Sequence, residues 1–463
     1  MVDQSGKPLS RRQFVGVLGS GAGAVALTGG SAFGQARGNP FRTQAEWTQR
    51  YDADARLRVR RIETPLLTPQ TIAATEEAIK QYQQIAANGG WGRIPAGRTM
   101  KVGSRGNSVI ALRRRLAVTG DLGRQATSSR IYDSYVEAGV RRFQARHGIS
   151  TTGIASRATL RELNVPVEFR LRQLQLNLVR LRTFSGDLGD RHVILNIPSA
   201  MVETVENGRI ATHHVAGVGK IDRQSPIMQA RALAVNFNPF WTVPVSIIRK
   251  DLIPKMQKDP SYLTDNKIRI FDRSGQEIEP SKVNWNSMEA VKYRFRQDPG
   301  GEINSLGFVR IDIANRHGVY MHDTPSKGIF GDDYRFVSSG CVRVQNVRDY
   351  VAWLLKAQGG WDRDRIDEAI RSGKQETVRL TPPVPVYWVY ITAWANDGIV
   401  QFRDDVYKRD ASEVASAGPS AGSTSHHVRS SPLRPEGRAP ASASAPVNYS
   451  DGRRAGGSPF RRY

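Results

Sequence analysis

A chain of 463 residues with 39% hydrophobic and 24% charged side chains has the balance of a folded protein and exceeds one ordinary domain, so two or three domains plus tails are expected. Its 67 Lys and Arg against 43 Asp and Glu give a formal net charge of +24, a balance that first suggests a nucleic-acid partner. The N-terminus argues against that partner, and beyond it no stretch approaches the roughly 18 uninterrupted apolar residues of a membrane span.

Residues 10–16, Ser-Arg-Arg-Gln-Phe-Val-Gly, precede a short Gly/Ala/Val/Leu-rich run to about Gly30 and small residues around Ala36. The paired arginines, the weak apolar region and the small residues resemble a twin-arginine export signal over 1–36, which implies a periplasmic protein. Residues 37–67 are polar and Arg-rich. Thr68-Pro69 then opens a helix, with Ile72, Thr75, Ile79, Tyr82 and Ala86 on one face and Gly89-Gly90 as its stop. This helix belongs to a scaffold segment, 37–98.

Residues 99–165 form a small unit. Val109, Leu112 and Leu116 share one helical face, Val136, Val140 and Phe143 share a second, and "TGIASRATLREL" supplies a third short helix. The spacing from Gly103 and Gly106 to Thr159-Leu160 resembles the peptidoglycan-binding domain of wall enzymes. Arg113, Arg114, Arg115, Arg141 and Arg142 around that core read first as a solvated face, although a polyanionic wall polymer could use them.

Over 166–190, Leu171, Leu174, Leu178 and Leu181 recur at helical intervals among arginines, as in a connecting helix that docks on a neighbour. The period then changes to two. Strands are expected around an Asn207-Gly208 hairpin turn and again around Asn396-Asp-Gly398, which makes 191–408 a mainly β domain. A helix-containing excursion at about 247–295 looks like a capping insertion that shields a reaction centre. From 409 to 463 the Ser/Ala/Pro/Gly/Arg composition lacks the apolar content to fold alone, so a disordered basic tail is expected.

Cys341 is the chain's single cysteine. In an oxidising compartment an unpaired thiol is either an inert buried group or one kept for reactivity. His322 lies nineteen positions upstream, at the end of the alternating stretch Gly318-Val-Tyr-Met-His322, which reads as a strand. A nearby imidazole activates a thiol when a third group fixes its other nitrogen. Neither a phosphate-cradling glycine loop nor a ligand-spaced His/Cys/Asp cluster is present, so no cofactor and no metal are expected.

His322, fifteen intervening residues and then Ser338-Ser-Gly-Cys-Val-Arg343 resemble the signature of the L,D-transpeptidases. "VAGVGKIDRQSPI", "VNFNPFWTVPVSI" and "RFRQDPGGEINSLGFVRIDIAN" extend the likeness to the larger Gram-negative members, over about 65–405. Many family members carry His where this chain has Ser339, so no second histidine is available there as a helper.

The resemblance implies a multidomain α + β protein: a mainly-β YkuD-type catalytic domain with a capping insertion, a three-helix peptidoglycan-binding domain and a helical scaffold. It implies Cys341 as nucleophile, His322 as general base and acid, and backbone amides around Gly340 and Cys341 as oxyanion donors. The orienter is the carbonyl of Asp323, with the Asp323 carboxylate as the competing candidate. Arg343, Ser339, Tyr320, Trp241 and Arg296 are candidate substrate contacts.

The implied reaction is attack on a tetrapeptide stem, release of D-alanine and transfer of the acyl group to a diaminopimelate amine. Water as acceptor would give an L,D-carboxypeptidase, and a protein amine would tether an envelope protein. Peptidoglycan stems and glycan are the implied partners, with inhibition by carbapenem-type β-lactams and no nucleic acid. A catalytically silent wall-binding protein and a basic nucleic-acid-binding protein are the alternatives from other classes.

Overall fold

The computed structural model describes residues 62–411, apart from 96, 98, 125 and 126. The expected export signal, the start of the scaffold segment and most of the expected 409–463 tail lie outside the described residues, but Arg409, Asp410 and Ala411 are helical and Asp410 is buried, held by Arg180.

Thr68 caps helix α1 (Pro69–Ala87), its hydroxyl accepting from the Thr71 amide at 3.2 Å. Of the expected face, Thr75 and Tyr82 are buried together with Thr71 and Ala78, and Ile72, Ile79 and Ala86 are half-buried against neighbouring core residues. Thr75 Oγ1 donates to the Thr71 carbonyl at 2.7 Å and accepts from the Ala395 amide at 3.0 Å, which fixes which side meets the next layer.

Helices α2 (Asn107–Val118), α3 (Ser134–Arg146) and α4 (Arg157–Leu163) enclose a core of Val109, Leu112, Leu116, Val136, Val140 and Phe143. Two of the five arginines expected on a solvated face are buried instead. Arg113 pairs with Asp133, and the Arg115 guanidinium lies 3.8 Å from the Trp91 ring centroid while its Nε donates to the Leu163 carbonyl at 2.8 Å. Partners distant in sequence make that burial tolerable.

Helix α5 (Val167–Phe184) docks through a mixed face of Arg170, Gln173, Leu174, Asn177, Arg180 and Leu181. Asn177 exchanges two 2.8 Å hydrogen bonds with Thr392, and Arg180 donates to Asp410 at 2.6 Å, so the joint is polar and specific in register. Thr392 precedes a hairpin of β14 (Ala393–Asn396) and β15 (Ile399–Phe402), turned by Asp397 and Gly398 at φ +48° and +75°.

The mainly β part is a nine-stranded sheet. It contains β1 (Arg191–Asn196), β2 (Met201–Glu206), β3 (Arg209–Gly219), β4 (Met228–Phe237), β9 (Val309–Ile313), β10 (Met321–His322), β11 (Phe336–Ser338), β12 (Val342–Val344) and β13 (Glu376–Val389). The order is β11-β3-β12-β10-β9-β4-β13-β1-β2, and β3 also pairs with β2, so the run of strands returns on itself. Asn207 and Gly208, both at positive φ, make the expected tight turn between β2 and β3. Inside lies a core of Val193, Leu195, Val235, Phe237, Ile311, Met321, Val342 and Trp388, covered by α6 (Val347–Leu355) and α7 (Arg363–Arg371).

Between β4 and β9 the chain leaves this sheet. A helical stretch at 245–258 and a four-stranded sheet of β5 (Trp241–Thr242), β8 (Arg294–Gln297), β6 (Ile268–Phe271) and β7 (Glu277–Ile278), in that order, share a separate core including Ile248, Leu252, Ile270 and Phe295. The insertion therefore buries its own apolar surface.

One expectation needs correcting. The strand predicted over 318–322 begins only at Met321, because the Asn315 side chain captures the amides of His317 and Val319 and donates to the Val319 carbonyl. Those groups are withdrawn from the sheet ladder.

Candidate active site

Strand β10 runs parallel to β12 with Met321 opposite Val342 and His322 opposite Arg343. Side chains alternate between faces along a strand, so Met321 and Val342 enter the core, both fully buried, while the intervening residues take the other face. Tyr320, His322, Cys341 and Arg343 thus share one face, joined by Arg310 of β9, which is registered with His322. The Val342 amide donates to the Tyr320 carbonyl at 3.0 Å, which continues the register to Tyr320 and Cys341.

His322 is 5% exposed, and its Nδ1 lies 2.5 Å from the Asp323 carbonyl oxygen. A carbonyl only accepts, so Nδ1 carries the proton and the lone pair of the neutral ring is on Nε2. Burial, then the positive charges of Arg343 and Lys327, drives the imidazole down to about 3. The ring is therefore neutral throughout the physiological range.

The Asp323 carboxylate does something else. It accepts from the Phe308 amide at 3.1 Å and pairs with Lys327, tying the β9 entry to the loop after β10. Of the two candidate orienters, only the carbonyl touches His322.

Cys341 is half-buried, and burial pushes its thiol up, opposed by hydrogen bonds with Tyr320 and by the charges of Arg343 and Arg310. The Tyr320 hydroxyl accepts from Trp241 Nε1 at 3.1 Å, so an insertion residue holds the tyrosine whose influence opposes burial at the Cys341 thiol. The Tyr320 ring also meets His322 edge-on at 5.6 Å between centroids. Burial thus disfavours the charged form of both the thiol and the imidazole.

The turn preceding Cys341 is tied by Ser338, whose hydroxyl donates to the Cys341 carbonyl at 2.5 Å and accepts from the Gly340 amide at 3.1 Å. The Gly340 amide, expected as an oxyanion donor, is therefore already engaged. That leaves the Cys341 amide, which makes no hydrogen bond among the described residues. Gly340 itself sits at φ +109°, a conformation that favours glycine, and its carbonyl accepts from Ser225 Oγ at 2.8 Å.

Arg343 lies over Gly217, where an added Cβ would be 3.4 Å from the arginine's own Cβ. Its Nε is buried without a hydrogen-bond partner, no acidic side chain pairs with it among the described residues, and burial lowers its pKa. Such a guanidinium is poised for an anion. Ser339 is exposed and bonds to Arg223. Arg296 stands apart from this group: its guanidinium packs against the rings of Phe240 and Phe271 at 4.4 and 4.9 Å, inside the insertion. Sequence reasoning missed Arg310, Ser338, Ser225 and Arg223; only the strand register and side-chain hydrogen bonds reveal them.

The candidate site is thus a half-buried Cys and a carbonyl-oriented His on one face of a β-sheet. Residues 190–381 match the family model of the L,D-transpeptidase catalytic domain, and residues 105–163 match that of a "Putative peptidoglycan binding domain". The chain carries a YkuD-type L,D-transpeptidase catalytic domain together with a peptidoglycan-binding domain. A curated Haemophilus influenzae protein named "Putative L,D-transpeptidase" is 32% identical over 241 residues, covering 51% of this chain. The match spans 48% of that relative's length, about half. Similar solved structures include an L,D-transpeptidase from Mycobacterium smegmatis, 14% identical with TM-score 0.23, covering 43% of this chain and 58% of the other. An L,D-transpeptidase in complex with imipenem is 15% identical with TM-score 0.22, covering 43% and 59%.

Proposed function

We propose that the chain is a periplasmic peptidoglycan L,D-transpeptidase, exported through its twin-arginine-type N-terminus, with Cys341 as nucleophile and His322 as general base and acid. The observation that carries this reading is the His322 Nδ1 bond to the Asp323 carbonyl, which leaves Nε2 as proton acceptor on the face that holds Cys341.

In the first half-reaction the Cys341 sulfur attacks the carbonyl of the L-centre of diaminopimelate in a tetrapeptide stem, and Nε2 takes the thiol proton. The Cys341 amide donates to the developing oxyanion. The bond to D-alanine then breaks, its nitrogen receives the proton from His322, and a thioester remains. In the second half-reaction a diaminopimelate side-chain amine attacks the thioester, its proton passes to Nε2, and the thiol is restored on release of a 3-3 crosslink.

Arg343 binds a carboxylate of the donor stem, Tyr320 holds the sulfur, and Trp241 positions Tyr320. The domain at 99–165 holds the glycan. A protein amine in place of diaminopimelate would tether an envelope protein, and carbapenem-type β-lactams would acylate Cys341.

The test is mass spectrometry of disaccharide-tetrapeptide stems incubated with the protein and with Cys341→Ala. Crosslinked dimers with loss of D-alanine, absent in the variant, are the expected result. Tripeptide alone would make the protein an L,D-carboxypeptidase, and no change at all would make it a wall-binding protein.

A further inference from the structure

One arginine outside the Cys341 and His322 pair joins three separate segments. After β3 the chain turns back through 220–225 and meets the nucleophile turn residue by residue. The Lys220 amide donates to the Ser338 carbonyl at 2.9 Å, Arg223 Nη1 donates to Ser339 Oγ at 2.8 Å, and Ser225 Oγ donates to the Gly340 carbonyl at 2.8 Å. This backing is tightly built: a Cβ on Gly219 would lie 2.2 Å from the Arg223 carbonyl oxygen.

The same guanidinium grips the capping insertion. Nη1 and Nη2 of Arg223 donate to the two carboxylate oxygens of Asp251, in the helical stretch 245–258, at 2.5 and 3.0 Å. The side chains are 14% and 28% exposed, so the pair is partly withdrawn from solvent. A bidentate Arg–carboxylate pair constrains orientation as well as distance, because the fork is planar and rigid. Nη1 serves Asp251 and Ser339 together, so the guanidinium plane cannot follow one without disturbing the other.

We propose that Arg223 is a positioning residue through which the capping insertion sets the Ser338–Cys341 turn. With Asp251 engaged, the cleft is covered and the turn is held for attack; with Asp251 released, cover and turn loosen together. The inference rests on the reading of Cys341 as an acyl-transfer nucleophile, and it adds a coupling that neither segment has alone.

The full chain tests it, because its single cysteine makes alkylation by iodoacetamide report one thiol. Asp251→Asn and Arg223→Ala are expected to speed Cys341 alkylation about tenfold, the change that loss of one charge-assisted hydrogen bond would produce. The kcat for crosslink formation falls roughly 10- to 100-fold with KM little changed, as loss of alignment predicts. Exchanging the partners, Arg223→Asp with Asp251→Arg, returns alkylation toward the wild-type rate because the pair is re-formed, and the fall in kcat at little-changed KM is the readout that a merely structural role would not give.

Alkylation of Asp251→Asn within about twofold of wild type would overturn the coupling, whatever the melting temperature does. If crosslinks never form with the wild-type chain while alkylation still responds to Asp251, the transpeptidase reading fails and the coupling stands. Crosslinking with unmoved alkylation fails the coupling alone.

Discussion

The carbonyl of Asp323 accepts from His322 Nδ1 at 2.5 Å, so the residue following the histidine fixes its tautomer without using its side chain. Replacing His322 by Asn preserves a donor near that carbonyl and removes the Nε2 base. Acylation by stem peptide is expected to fall about 10²- to 10⁴-fold, the usual contribution of a positioned base. Rates within a factor of a few of wild type, followed as thioester by mass spectrometry, would remove His322 from the mechanism.

The side chain and main chain of residue 323 can be separated by experiment. Asp323→Asn keeps the carbonyl and a group able to accept from the Phe308 amide, but loses the charge facing Lys327. Its acylation rate should stay within about tenfold of wild type while stability drops by about 1–3 kcal/mol, because a buried hydrogen-bonded charge has been altered. Urea unfolding and thioester formation on the same preparation decide this; a catalytic loss as large as that of His322→Asn would restore the carboxylate as orienter.

These features differ in how far the sequence reveals them. Cap, turn and motif chemistry is local, so Thr68 at the start of α1, Asn207-Gly208 between β2 and β3, and the Cys341 turn are legible from neighbouring residues. On α1 the Ala395 amide, more than 300 residues away, donates to Thr75, a partner that nothing near the helix announces. Arg113 and Arg115 looked solvated because Asp133 and Trp91 are not adjacent to them in the chain. Arg223 and Ser339 are 116 residues apart, and nothing in the period or composition of either segment announces their bond.

Acid stability carries the mark of His322. Its folded value is about 3, below the ordinary value of 6.5, so between those limits the unfolded chain binds the proton and the folded chain does not. Stability therefore rises with pH across that window and is lost as pH falls through it, by up to about 1.4 kcal/mol per pH unit for each such group. His147, His192 and His214 are lowered too, chiefly by burial, and add to the same slope. His322→Asn should flatten the dependence of unfolding free energy on pH by close to one proton between pH 4 and pH 6, a range within the stated window; an unchanged slope in denaturant titrations would mean that the ring is solvated.

Arg343 is the place where stability and activity should part. Its guanidinium is partly buried, its Nε lacks a partner, and burial disfavours its charge, all of which cost folding free energy. Arg343→Met keeps much of the aliphatic stem over Gly217 and removes that charge. The expected outcome is a melting temperature equal to or above wild type, together with a rise in KM for tetrapeptide stems of at least about tenfold, the loss of one charge-assisted contact. Two measurements on one preparation, thermal unfolding and initial rates over a range of stem concentration, check both halves. A destabilised variant with unchanged KM would mean that Arg343 serves the fold; a stabilised one with raised KM would mean that its unpaired state is retained for the carboxylate of the substrate.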